Sequence, residues 1–288
     1  MYLETSLVLE GGGMRGAYTA GVLQYLLEKK VEVSYVIGVS AGICQAASYV
    51  SKQLGRNKKT TIEMASDSRY IRYKGVFDKT GLFNMDFIFD EIPNNLVKYD
   101  YDAFWKSKQK MIAVATDCKT GKPVYINCHQ ASNNKELNNI FKASSSLPLF
   151  APVVSFRGMS LLDGGLSDSI PVNKAIHDGN KKNIVILTRP RGYRKKPAKG
   201  LKLYKRLLGK DYSGAYKAME TRYLHYNKTL DHLEAYQKNG LAFVIAPSKD
   251  LKIKRAEKNQ NKLEALYQLG YNDMKSKYDK LINYIGQY

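Results

Sequence analysis

The chain has 288 residues, 44% of them hydrophobic and 11% aromatic, which excludes bulk disorder and leaves enough apolar mass for one large core or two modest ones. No apolar run approaches the roughly 20 residues needed to span a bilayer, and the N-terminus MYLETSLVLE has neither the basic nor the apolar region of a signal peptide. The formal net charge of +20 attracts polyanions, either nucleic acid or a membrane carrying anionic lipid.

The first fifty residues read as alternating strand and helix. SLVLE (6–10) has the pattern of a short buried strand. AYTAGVLQYLLEKK (17–30) spaces Val22, Leu23, Leu26 and Leu27 as one helical face, with Lys29 and Lys30 where a helix C-terminus favours cations. SYVIGV (34–39) predicts a second buried strand and AGICQAASYV (41–50) a second helix. This order argues for an α/β fold: a central, mostly parallel sheet flanked by helices. Residues 55–110, rich in Lys, Tyr, Phe and Asn, read as an insertion of short helices and loops. KMIAVATDC (110–118) and KPVYINC (122–128) predict a hairpin turning at Lys119-Thr120-Gly121, and ELNNIFKASS (136–145) a helix. SLLDGG (160–165) ends a strand at a glycine pair, and IPVNKAIHDG (170–179) opens a helix with Pro171 near its first position. NIVILT (183–188) and LAFVIA (241–246) are two more buried-strand runs; 200–238 and 256–286 read as mostly helical. With no repeat and no low-complexity linker, residues 1–288 are expected to form one domain. Its catalytic core would run from about 5 to 190 and its basic helical portion from about 200 to 288. Cys44, Cys118 and Cys128 have no metal spacing and read as reduced thiols of a cytoplasmic protein.

Two glycine-rich turns carry the chemistry. Gly11, Gly13 and Gly16 satisfy G-x-G-x-x-G, the dinucleotide fingerprint. That reading needs an acidic residue closing the second strand to hold a ribose. The second strand runs instead into Gly38-Val39-Ser40-Ala41-Gly42, a G-x-S-x-G between strand and helix. In that context the motif makes a tight turn that lifts the serine hydroxyl above the sheet. The glycines before the first helix leave N–H groups free for a phosphate or for the oxyanion of acyl transfer. Serine also needs a base. The four histidines, His129, His177, His225 and His232, sit in no recognisable motif, whereas Asp163 stands at a strand end before Gly164 and Gly165.

Gly11-Gly12-Gly13-Met14-Arg15-Gly16, Gly38-Val39-Ser40-Ala41-Gly42 and Asp163-Gly164-Gly165, in that order and spacing, resemble the patatin-like phospholipase family, and ASSSLPLF (143–150) is similar to its segment before the third motif. The resemblance implies a three-layer fold, no metal or cofactor, and a dyad of Ser40 as nucleophile and Asp163 as base. It also implies an oxyanion hole from the N–H groups of Gly12, Gly13 and Met14, with Arg15 bracing the loop. Ser169-Ile170-Pro171-Val172 departs from the family's N-P segment. The implied substrate is a lipid or other acyl ester, and the aromatic residues of 55–110 suit a lipid-facing wall. Residues 189–210 hold ten Lys or Arg and no acid, and LKLYKRLL (201–208) places leucines on one helical face. Peripheral contact with an anionic membrane is therefore an expectation. Two alternatives remain at this point: an α/β-hydrolase with a Ser40, Asp163, His225 or His232 triad, and a basic nucleic-acid or membrane-surface binder without activity. No nucleic-acid module is recognisable, which disfavours nucleic acid as partner.

Overall fold

The computed structural model describes residues 3–72, 81–148, 150–201 and 212–286. Eight strands form one sheet. They are β1 (Leu3–Leu9), β2 (Val33–Val39), β3 (Lys110–Asp117), β4 (Pro123–Asn127), β5 (Val154–Phe156), β6 (Met159–Asp163), β7 (Asn183–Ile186) and β8 (Ala242–Ile245). The order is β5-β6-β3-β2-β1-β7-β8, with β4 paired to β3. β1, β2, β3, β7 and β8 run parallel, while β4, β5 and β6 join antiparallel.

Both faces of the sheet are buried, so the parallel strands read as continuous apolar runs. Leu7 and Leu9 of β1 enter one core, which also holds residues from α1 (Gly16–Glu28), α2 (Ala41–Val50), α5 (Asn134–Ser145) and α8 (Gln260–Gly286). Val8, with Ile37 and Val39 of β2, enters the other, beneath α6 (Val172–His177) and α7 (Ser213–Lys238). The result is a helix–sheet–helix arrangement. Most sequence-based elements recur with shifts of a few residues at their ends, including the hairpin of β3 and β4; the helical stretch expected over 200–238 is described as a helix from Ser213, and the short strand β5 was not expected. The 55–110 segment contains α3 (Arg56–Thr61), a 3-10 turn at Glu63–Ser66, a π-helical stretch at Phe87–Leu96 and α4 (Tyr101–Lys106). Positions 73–80 of that insertion lie outside the described residues. So do 202–208 of the expected amphipathic helix.

α8 lies against α1 at a crossing made by two glycines. A Cβ on Gly21 would stand 2.0 Å from the Tyr267 carbonyl oxygen, and one on Gly270 2.1 Å from that of Tyr18. The Tyr18 hydroxyl donates to Asp273 across this seam at 2.9 Å.

Candidate active site

The site forms where parallel strands end, the usual location in open α/β sheets. β2 stops at Val39, and Ser40 turns the chain into α2 with φ 54° and ψ −125°, a left-handed region that side chains rarely enter. The flanking glycines permit the turn. A Cβ on Gly38 would lie 2.7 Å from the Ile43 nitrogen, and one on Gly42 2.5 Å from the Leu9 carbonyl oxygen. Ser144 of α5 braces the bend: its hydroxyl accepts from the Ser40 N–H at 3.0 Å and donates to the Val114 carbonyl at 2.7 Å.

Strand register brings Asp163 to the same place. Val39 pairs with Val114, and the next residue of β3, Ala115, pairs with Asp163. Since β4 occupies the other edge of β3 here, β6 takes over the edge that β2 vacates. Asp163 therefore begins beside the point where Ser40 leaves the sheet. Gly164 allows this approach, because a Cβ there would stand 2.1 Å from the Val114 carbonyl oxygen.

Asp163 is almost fully buried. Burial raises its pKa above the ordinary carboxylate value, while the Ser40 hydroxyl, the Arg222 guanidinium and the Gly165 N–H pull it down. Oδ1 accepts from the Gly165 N–H at 2.7 Å. Oδ2 has no completed hydrogen bond, so the serine hydroxyl is near enough to weigh on the carboxyl but has not closed onto it. Long contacts of this kind are common before substrate tightens a site.

The glycine loop lies over the elbow. A Cβ on Gly11 would meet the Val39 carbonyl oxygen at 3.0 Å and Ser40 Cβ at 3.1 Å, and one on Gly16 would meet Ala41 Cβ at 3.0 Å. Gly13 has φ 58° and rests on Arg255. The resemblance implies the Met14 N–H as an oxyanion donor; in the structure that N–H donates to the Arg255 carbonyl at 2.9 Å. The N–H groups of Gly11, Gly12 and Gly13 have no partner among the described residues. Arg15 lines the cavity beside the loop, its guanidinium lowered to about 10 by burial and by Arg189 and Arg255.

Two cavities meet at Ser40. One, of about 130 Å³, is apolar, walled by Met85, Ile88, Phe89, Ile92, Phe141 and Leu147, with Cys44 near the serine. Burial pushes the Cys44 thiol up to about 11, so it is not a competing nucleophile at neutral pH. The other is small, about 20 Å³, and holds Ser40, Asp163, Gly11, Gly12 and Gly13 together. No histidine lines either cavity. His129 stacks on Phe104, His177 and His225 are exposed, and His232 lies beside Tyr236. No metal-holding group of three or more His, Cys, Asp or Glu occurs among the described residues. The sequence reading did not single out Ser144, Lys195, Arg222 or Arg255. Ser144 lies within ASSSLPLF and Lys195 within the basic run, whereas Arg222 and Arg255 carried no signal.

A family model described as patatin-like phospholipase matches residues 7–176. A second, described as a domain of unknown function (DUF6363), matches 212–286. The uncharacterized protein YjjU of Escherichia coli (strain K12) is 30% identical over 199 residues, covering 64% of this chain and 52% of that protein. The probable lipid hydrolase 463L of Invertebrate iridescent virus 6 is 27% identical over 197 residues, or 63% of this chain and 66% of that one. Lysophospholipase NTE1 of Scheffersomyces stipitis is 26% identical over 192 residues, or 62% of this chain and 11% of that one. The chain thus spans about half the length of the first relative, and less than two thirds of the lipid hydrolase and the lysophospholipase as well.

Proposed function

The chain belongs to the patatin-like phospholipase family, and from that membership we propose that it is a serine hydrolase of lipid acyl esters working through a Ser40–Asp163 dyad. The observation that carries the reading is the single small cavity shared by a strained serine, a buried carboxyl with a free oxygen, and three unpartnered glycine N–H groups.

Ser40 Oγ attacks the ester carbonyl and Asp163 Oδ2 takes its proton. The carbonyl oxygen, now charged, is held by the N–H groups of Gly11, Gly12 and Gly13. Each such donor is worth about 100- to 1000-fold in rate, because the dipoles are fixed before charge develops. As the acyl–oxygen bond breaks, Asp163 returns the proton to the departing alcohol. Water, activated by the same carboxylate, then releases the fatty acid from Ser40. A free aspartate is too weak a base for this at neutral pH; burial strengthens it. The apolar cavity takes the acyl chain. The relatives named as lipid hydrolase and lysophospholipase support a lipid substrate. Residues 1–288 act as one unit in this proposal, since Arg255, beyond the patatin match, holds the Met14 N–H. Peripheral contact with an anionic membrane through 189–210 belongs to the same proposal. Among the described residues no helix is long and apolar enough to cross a membrane.

A fluorophosphonate probe tests the assignment. It should label Ser40 alone, found by mass spectrometry of the modified peptide; a label on any other residue overturns the reading.

A further inference from the structure

A carboxylate in a dry cavity tends to take up a proton, and a protonated Asp163 could not accept one from Ser40. Asp163 is almost fully buried, and its Oδ2 has no hydrogen-bond partner. The donor fixed on its other oxygen is the Gly165 N–H, a neutral group. The proposed base therefore needs a charge beside it to stay ionised.

Five cations line the same cavity, Arg15, Arg189, Lys195, Arg222 and Arg255. Arg222 of α7 is the one placed against Asp163. A Cβ on Gly165 would stand 2.9 Å from Arg222 Nη2 and 2.9 Å from Asp163 Oδ1, so guanidinium and carboxylate face each other across a bare glycine. Ser169 fixes the guanidinium there: its hydroxyl accepts from Arg222 Nη2 at 3.4 Å and donates to the Gly165 carbonyl at 2.7 Å. Arg222 forms no salt bridge among the described residues, and its Nε is buried without a partner. A buried cation with no counter-ion in contact is costly, so stability does not explain the arrangement. Besides Asp163, Arg222 faces Arg255, Glu10, Tyr226 and Lys195; burial and Arg255 lower it from its ordinary value, yet an arginine stays charged. After burial and the Ser40 hydroxyl, Arg222 is the largest influence on Asp163, and it favours the ionised form, with the Gly165 N–H and Arg255 adding to it.

On the reading of Ser40 and Asp163 as a dyad, we infer that Arg222 is a positioning residue of the site, a fixed charge held one glycine away from Asp163 that keeps the base ionised in its dry cavity without occupying Oδ2. The separation matters. A guanidinium in direct contact would hold the carboxylate below its ordinary range and weaken it as a base. Across Gly165 the charge offsets part of the effect of burial and leaves Oδ2 open to the serine hydroxyl. As the proton moves, the Ser40 Oγ–H bond breaks and an Oδ2–H bond forms, while the guanidinium keeps all its protons. Arg222 lies beyond the patatin match, so the C-terminal portion of the chain sets the strength of a base that the N-terminal portion supplies.

The acid limb of kcat/KM for 1-butyrylglycerol tests this, since that ester is water-soluble and uncharged. In Arg222→Met the limb should move upward by about one pH unit or more, an opposite charge having been removed from beside the carboxylate. On that slope activity falls about tenfold below wild type, in kcat rather than KM, and at higher pH the two proteins should converge. Arg222→Gln, which keeps a donor toward Ser169 but no charge, should move the limb likewise, and it carries the test should the Met variant not fold. Arg222→Lys should hold the limb near its wild-type position. Lys195 titrates at about 7 beside Arg222, so the shift caused by Arg222→Gln is measured again in Lys195→Met, where it should keep its size. An unmoved limb in Arg222→Gln, or a loss of equal size at every pH, overturns the inference and leaves the esterase standing. Wild-type protein that neither hydrolyses the ester nor takes the fluorophosphonate label at Ser40 refutes the dyad itself.

Discussion

Ser40 adopts φ 54° although it has a Cβ. A residue held in that region costs on the order of 1–3 kcal/mol, and it persists because the surroundings leave no alternative. Gly38 and Gly42 remove the atoms that would clash, and Ser144 ties down the N–H. The partner acid is tuned by the same crowding: burial is the largest influence on Asp163 and raises its pKa. In the proposed dyad the base must be ionised to accept the serine proton. Activity is therefore lost as pH falls through a pKa that lies above the ordinary carboxylate value. The acid limb of kcat/KM for butyrylglycerol should report that displaced ionisation. In Asp163→Asn the amide cannot take the proton, and kcat should drop by roughly 100- to 10,000-fold. The amide oxygen of the substituted side chain can still accept from the Gly165 N–H, so the unfolding temperature should stay near the wild-type value in calorimetry. An acid limb unmoved from that of free aspartate, or an Asp163→Asn variant with full turnover, would remove Asp163 from the mechanism.

Strands and helices were legible where local chemistry decides them. SLVLE and SYVIGV have the apolar runs of strands buried on both faces, and the glycines at 38 and 42 mark the elbow without any tertiary information. The pairing that makes a site from these pieces was not legible in local patterns; the family resemblance alone implied it. That Asp163 stands beside Ser40 depends on β6 replacing β2 along one edge of β3, a contact between residues far apart in sequence whose register no local pattern encodes. The use of the Met14 N–H by Arg255 was hidden for the same reason, and in the proposed mechanism it leaves the oxyanion to the three glycine N–H groups. The α1–α8 crossing is another case. Gly21 and Gly270 looked like ordinary glycines inside helical patterns, yet each meets the other helix's backbone. Gly270→Leu should force the helices apart or distort them, at a cost of about 1–3 kcal/mol. That corresponds to a fall of several degrees in Tm by calorimetry. An unchanged Tm would mean that the seam contributes nothing to stability.

Across the whole molecule the +20 charge has an inner and an outer part. Outward-facing cations of the basic run are partly matched, as where Arg194 meets Asp231 at 2.6 Å. The inner ones, Arg189 and Lys195, turn toward the cavity at Ser40 and join Arg222 of α7 and Arg255 of the segment after β8. Lys195 is the titrating member of this group. Burial is the largest influence lowering its pKa, Arg222, Arg255 and Arg15 add to it, Glu10 opposes them, and its ammonium lies 4.2 Å from the Tyr226 ring and 5.8 Å from that of Tyr193. With a pKa of about 7, Lys195 is protonated below neutrality and loses its charge as pH rises through that value. For an ester whose alcohol arm carries a carboxylate, which stays charged throughout, kcat/KM relative to butyrylglycerol should fall between about pH 6 and pH 8, the interval over which a lysine of that pKa loses its proton. In Lys195→Arg, whose guanidinium stays charged throughout, the ratio should stay level. A wild-type ratio that holds steady across that interval would mean that the Lys195 ammonium does not face the alcohol arm of the ester, and that the charge lining the cavity is sensed through Arg222 and Arg255.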